Sequence, residues 1–372
     1  MRQGRKDEAA QHYAAAIRTM AAQPDTEVPQ RTRYRLRAEQ GMVSLARADF
    51  TAALEQWWEV RGPYWLDLAY VAERVVTVDE LKAFVDAHVP AARPPAAEKQ
   101  GNEMRQPEDP GAEWPAISPA NQLRDLLARR LMREGRAKEA FAYFHGPEEQ
   151  RLADPDVRQH AKDYIDALHD AETAWTRVGR ARSYFEAAQI ARFHGLEIMG
   201  YELGPDSQAM GGSWDLGSER PAAKDGATAA EQKRYDASAP QPNERYHYRY
   251  IAAAHAVRAA EALPPRSQAY AAVLCEATHW MLSSGNDDEA QALYERYVQH
   301  GAVVPWATHF GHDCPAPEFH RANWMLAKEQ MHGGRVWARH HKPVAIGAAA
   351  AAAAVLAGLG WWIAARVRRR RA

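Results

Sequence analysis

The sequence predicts an all-α protein of paired antiparallel helices with one membrane-spanning helix near its C-terminal end, and three observations predict it. Ala, Leu, Glu, Arg and Gln dominate the body, while the period-two alternation of β-branched residues is nearly absent. Small residues recur one helical turn from aromatic ones, the spacing that puts both on one helix face. From Val344 to Ala365 there is no charged or strongly polar side chain.

Composition sets the outer limits. The 372 residues can hold one large or two ordinary domains plus tails, and 46% hydrophobic with 26% charged residues is the balance of a folded protein. A formal net charge of −1 gives no reason to expect nucleic acid. Two cysteines, Cys275 and Cys314, exclude a disulfide-rich scaffold and leave a single bridge open. The first twenty residues carry Arg2, Arg5, Lys6, Asp7, Glu8 and Arg18 and no apolar core of a signal peptide.

In chain order, residues 1–89 read as helices. Gly4, Ala9, Tyr13 and Ala16 have the spacing of a turn and second helix, and "GMVSLARADFTAALEQWW" places Gly41, Phe50, Ala53 and Trp57 in a complete pair. Trp57, Trp58, Tyr64 and Trp65 read first as a packing cluster and second as a peptide groove. Residues 90–119 hold seven prolines and form a linker, since prolines interrupt helices. Residues 120–203 are helical again, with Ala128, Gly135, Ala140 and Phe144 in register. Residues 204–245 read as a long loop, in which Asp206, Ser207, Ser213 and Asp215 surround Gly211–Gly212 and brace the body in preference to shaping a pocket.

Residues 246–320 return to helix. In "YHYRYIAAAHAVRAAEAL", Tyr246 and Tyr250 share one face, as in core packing; no basic patch supports base stacking. Gly285, Ala290, Tyr294 and Tyr297 form another register. Residues 321–343 are a juxtamembrane segment, 344–365 the span and 366–372 a basic tail.

The registers built on Ala9 and Tyr13, Ala53 and Trp57, Ala140 and Phe144, and Ala290 and Tyr294 resemble the tetratricopeptide repeat. That resemblance implies a solenoid of helix pairs whose concave face binds a protein or peptide partner. It also makes the opening stretch a half-repeat, with the expectation that Met1 is not the native start; a natural half-repeat cap is the alternative. "AAQIARFHGLEIMGYELGPD", "MGGSWDLGSE", "ASAPQPNERYHYRYIAAAHAVRAAEALPP" and "AAVLCEATHWML" resemble blocks of an uncharacterised group of bacterial tetratricopeptide-repeat proteins, over Arg182 to Gly301. The likeness ends at Gly301, where "VVPWATHFGHDCPAPEFH" replaces a cysteine and an aromatic-proline motif. It implies a fold and a compartment and carries no chemistry.

His309, His312, Cys314 and His320 lie within twelve residues and are zinc-ligand types. Their spacing fits no familiar zinc motif, so the segment reads first as a loop beside the last repeat and second as a metal-binding enzyme or sensor site. No HExxH, nucleotide-binding Gly-rich loop or nucleophile elbow occurs, and catalytic and cofactor residues are not expected. The stretch Val344–Ala365 would span roughly 33 Å as a helix, enough for a hydrocarbon core of about 30 Å. Trp361 and Trp362 suit the interface, and Arg366 opens a tail of five arginines. Positive-inside counting, with Arg335, Arg339 and Lys342 on the other flank, places the tail in the cytoplasm and the body outside a bacterial inner membrane. A tail-anchored chain with a cytoplasmic body is the alternative.

Overall fold

A computed structural model describes residues 5–24, 27–90, 118–145, 156–212, 227–341, 356–357 and 359. It is all-helical, with no strand among the described residues. The order is α1 (Lys6–Ala21), α2 (Gln30–Ala46), α3 (Phe50–Glu59), α4 (Trp65–Tyr70) continued by a π-helical turn (Val71–Val75), α5 (Val78–His88), α6 (Pro119–Arg133), α7 (Ala137–Ala140), α8 (Val157–Thr173), α9 (Arg177–Met199), α10 (Ala229–Ala237), α11 (His247–Ala262), α12 (Gln268–Leu282), α13 (Asp287–His300) and α14 (Phe319–His340).

Local chemistry sets many of the starts. Asp49, Ser118, Thr176 and Ser267 each accept a backbone N–H of the first turn, and Pro119 occupies a position where its missing N–H costs nothing. Thr77 with Glu80 and Thr228 with Glu231 form reciprocal capping boxes. The second box opens α10 inside the 204–245 stretch expected to be loop throughout. The nine-residue run is too short and too tightly flanked by Pro and Gly for periodicity to reveal it. The 321–343 segment is largely the helix α14. The Val344–Ala365 span, Trp361, Trp362 and Arg366 lie outside the described residues apart from Leu356, Ala357 and Leu359; no helix of the described residues is long and apolar enough to cross a membrane.

Helices pack mostly on their neighbours in sequence: α1 on α2, α2 on α3, then α8, α9, α11, α12 and α13 in succession, with α14 returning onto α9 and α12. Small residues let them approach. A Cβ at Gly195 of α9 would lie 2.4 Å from the Tyr248 ring of α11, and Ala187, Ala188, Ala191, Ala252, Ala256 and Ala259 on the same two helices are fully buried. Gly41 plays this part in α2, where a Cβ would meet the Trp57 indole at 3.0 Å. Each large apolar side chain so enclosed contributes about 1.5–3 kcal/mol.

Between the N-terminal helices and the α8–α13 succession the apolar core, to which Leu123, Leu126, Leu127 and Leu131 of α6 belong, encloses a buried polar network. Glu73 and Arg74 of the π turn are buried, as are Arg129 and Arg130 of α6 and Glu202, Asp206 and Ser207 of the following loop. Arg133 pairs with Glu73, and Arg129 pairs with Glu202. Glu73 also accepts the Glu202 N–H at 3.0 Å, and Trp65 Nε1 donates to Glu202 at 3.1 Å. Arg130 donates to the carbonyls of Ala72 and Val76, oxygens that the widened turn and the strand-like exit at Val76 leave free. Burial pushes the Glu202 carboxyl up despite Arg129, a sign that desolvation outweighs the attraction of its partner.

A second buried polar pair lies inside the C-terminal succession. The Tyr164 hydroxyl of α8 sits 2.8 Å from His255 Nε2 of α11, and burial pushes the imidazole down to about 4. The ring is therefore neutral near pH 7 and Tyr164 donates to it. As pH falls below about 6.5 the unfolded chain takes up a proton that the folded chain refuses, so stability declines toward about pH 4, by roughly 3 kcal/mol for this one group. His255→Gln keeps an acceptor for Tyr164 without titrating. Urea unfolding across this range should show a flatter acid limb in the variant; an unchanged slope would contradict the assignment.

Candidate functional site

A groove of about 930 Å³ lies at the N-terminal end. Tyr13 of α1, Arg31, Arg35, Glu39 and Met42 of α2, Trp57 of α3, and Tyr64 and Asp67 at the start of α4 line it. Gly41 creates its floor, because only a missing side chain lets the Trp57 indole lie against α2. Arg37 Nη1, 3.2 Å from Gln56 Oε1, ties α2 to α3 beneath.

The walls differ in how they are held. The α1 wall buries no residue and is attached by polar contacts: Lys6 Nζ to the Ala46 carbonyl at 2.6 Å, Asp7 to Arg47 at 2.9 Å, and the Tyr13 hydroxyl to Glu39 at 3.4 Å. The one exposed ion pair among them, Asp7–Arg47, is worth about 0–1 kcal/mol, and with no buried residue on α1 this wall is the easier one to displace. The opposite wall is fixed by the buried α3 and α4. Burial pushes the Asp67 carboxyl up, with no cation among the described residues to oppose the shift. Met42 is 44% exposed, an apolar contact open to a partner. The groove therefore offers the half-buried rings of Tyr13 and Tyr64 above the buried Trp57, the exposed Met42 and an exposed Asp67 carboxylate, features suited to an amphipathic segment carrying a basic group.

The residues singled out by spacing fall in different places. Ala53 and Trp57 are buried in the α3 core, and Ala140 and Phe144 are fully buried around α7. Ala9 and Tyr13 are half-buried on α1. Ala290 is buried, but Tyr294 is 42% exposed. The buried aromatic of α13 is Tyr297, stacked on Phe310 at 4.2 Å, with Tyr294 at the edge of that cluster. The loop after α9 braces the fold: Asp206 accepts from the backbone N–H of Tyr201 at 2.9 Å and of Tyr246 at 2.6 Å. Ser213 and Asp215 lie outside the described residues.

The metal expectation meets a different chemistry. Cys314 is joined to Cys275 by a disulfide, with Cα atoms 5.6 Å apart, so its sulfur is no thiolate ligand. His309, His312 and His320 are exposed, and no group of three or more His, Cys, Asp or Glu able to hold a metal occurs among the described residues. The segment instead forms a covalent flap on α12. Gly311 N–H donates to Cys275 Sγ at 3.2 Å, and His279 Nδ1 lies 2.9 Å from the Gly311 carbonyl. Sequence could not reveal Asp67 or Arg31 as groove residues, since single charges on amphipathic helices look like ordinary surface.

No family model matches the chain, and neither a curated protein nor a solved structure matches it.

The disulfide closes a loop with a sequence separation of 39 residues, which in the chain-entropy description stabilises by about 3–4 kcal/mol. Protein purified without reductant and denatured should expose no reactive thiol, and Cys275→Ala/Cys314→Ala should lower unfolding stability by that amount. Two titratable thiols per native chain would contradict the bridge.

Proposed function

We propose that this protein is a membrane-tethered helical-repeat scaffold that binds a protein or peptide partner in the groove floored by Trp57. The carrying observation is the groove itself: the aromatic rings of Tyr13 and Tyr64, the exposed Met42 and the exposed Asp67 carboxylate meet over Trp57 in one concavity of about 930 Å³. The tetratricopeptide resemblance adds to this, because stacked helix pairs present concave faces of that kind. The partner segment is amphipathic and carries a Lys or Arg side chain for Asp67.

The tether is Val344–Ala365, one span of a bacterial inner membrane, with the arginine tail in the cytoplasm and the body outside it. Two features support that side: the basic residues after the span and the Cys275–Cys314 bridge, since such bridges persist in oxidising compartments. A cytoplasmic body would place the same bridge where thiols are kept reduced.

Photocrosslinking in living cells tests the groove. A crosslinker replacing Met42 should capture a discrete partner, and one replacing the exposed Val298 of α13 should not. Asp67→Lys should reduce the Met42 adduct severalfold, on the scale of an exposed charge contact of up to about 1 kcal/mol. Equal capture from both positions, unaffected by Asp67→Lys, would refute groove binding.

A further inference from the structure

A second concavity, of about 240 Å³, opens at the polar junction and is separate from the Trp57 groove. Glu73, Arg130, Arg133, Tyr201, Ser238 and His247 contribute to its wall. His247 is the first residue of α11 and is 3% exposed. Its Nδ1 lies 2.8 Å from Asp206 Oδ2. Asp206 is fully buried and already accepts two backbone N–H groups, so it acts as a carboxylate acceptor and accepts a hydrogen bond from Nδ1–H as well. That fixes the ring: Nε2 is the free position, buried and without a hydrogen-bond partner in the protein. The Tyr201 ring stands edge-on to the imidazole, centroids 5.0 Å apart, and holds it in place.

A buried nitrogen in this state is costly unless something meets it. The rest of the wall says what kind of group. Glu73 is spent on Arg133, whose other nitrogen donates to the carbonyls of Met199 and Gly200 at 3.2 and 2.9 Å. Arg130 has only the carbonyls of Ala72 and Val76 and forms no ion pair among the described residues. Glu134 is at the mouth with its side chain 49% exposed, where water screens it. Burial pushes Arg130 down only to about 10, so it stays charged at neutral pH. The inner wall therefore presents one guanidinium that makes no ion pair of its own and one imidazole nitrogen backed by a carboxylate.

We infer that this cavity binds a small oxyanion, of the phosphate or carboxylate type, held between His247 Nε2 and Arg130. A proton lies on the line between Nε2 and the ligand oxygen. Hydrogen phosphate brings it as P–OH; a carboxylate takes it from solvent through the imidazole. Asp206 balances the imidazolium character that results. The cavity's volume admits the anion and a short substituent, not an extended peptide. This site stands or falls independently of the peptide groove.

The test uses the purified full chain, labelled with ¹⁵N-histidine and titrated at constant pH with inorganic phosphate and, separately, acetate. The His247 Nε2 resonance, identified by its loss in His247→Asn, should move saturably toward the protonated position with one or both anions, and which of them acts separates the two sources. In calorimetry, His247→Asn should weaken binding about tenfold or more. Its Nδ2 still donates to Asp206, so helicity and thermal midpoint should match the parent. Gln241 is exposed at the cavity mouth, and Gln241→Trp should abolish binding by occlusion without touching the Asp206–His247 pair. An unmoved His247 resonance with both anions overturns the inference. So does binding that survives both substitutions, which would be an adventitious ion only.

Discussion

The fold turns on a constraint unusual for a helical array: its middle is held by charge inside the core. Glu73–Arg133 and Arg129–Glu202 connect the π turn, α6 and the loop after α9, and neither pair has solvent to dissipate its field. Buried pairs gain little over an apolar core of equal volume, but removing one partner leaves an uncompensated charge behind. The junction thus adds less to net stability than to uniqueness of arrangement. Every partner must be in place at once, including the Trp65 indole and the Glu202 backbone N–H. The same demand fixes α10, through Tyr70 to Glu231 at 2.9 Å and the two-pronged contact of Arg234 with Glu80 at 2.6 and 3.1 Å.

Away from the junction the packing follows apolar rules. Ala and Gly lower the height of one helix so that an aromatic ring from the next can lie on it, as Tyr248 does on Gly195 and Trp57 on Gly41. The arrangement splits the molecule's work. At the N-terminal end, α1 rests on polar contacts and leaves a groove beside the Trp57 floor. In the centre, over-determined hydrogen bonding positions Asp206 and His247. Toward the C-terminal side, the Cys275–Cys314 bridge pins the 302–318 segment to α12. From there α14 carries the chain away from the body, exposed from Ala327 onward wherever its side chains are described.

How much of this is legible in the sequence depends on the range of the interaction. The all-helical class follows from composition, and the buried Ala53–Trp57 and Ala140–Phe144 spacings follow from helix geometry, because both act within one turn. Tyr294 shows the limit of that rule: it has the right offset from Ala290, but Tyr297 one turn later reaches Phe310 and takes the buried place. The helix α10 is hidden by its short length. The junction is hidden for a deeper reason. Arg129, Arg130 and Arg133 sit in a helix whose pattern assigns charge to the surface, and their partners are 54 to 73 residues away. Asp206 and His247 are 41 residues apart, on a loop and a helix start that share no periodicity. The histidine and cysteine segment, conspicuous in the sequence, has its cysteine committed to a bridge.

The most direct test of the junction is a double-mutant cycle at Arg129 and Glu202, read by urea unfolding. Arg129→Met alone should cost about 3–5 kcal/mol, because it strands a buried carboxylate, and Arg129→Met with Glu202→Gln should recover more than half of that loss. If Arg129→Met changes stability by less than about 0.5 kcal/mol, the range of an ordinary surface substitution, the buried charges do not hold the two halves together.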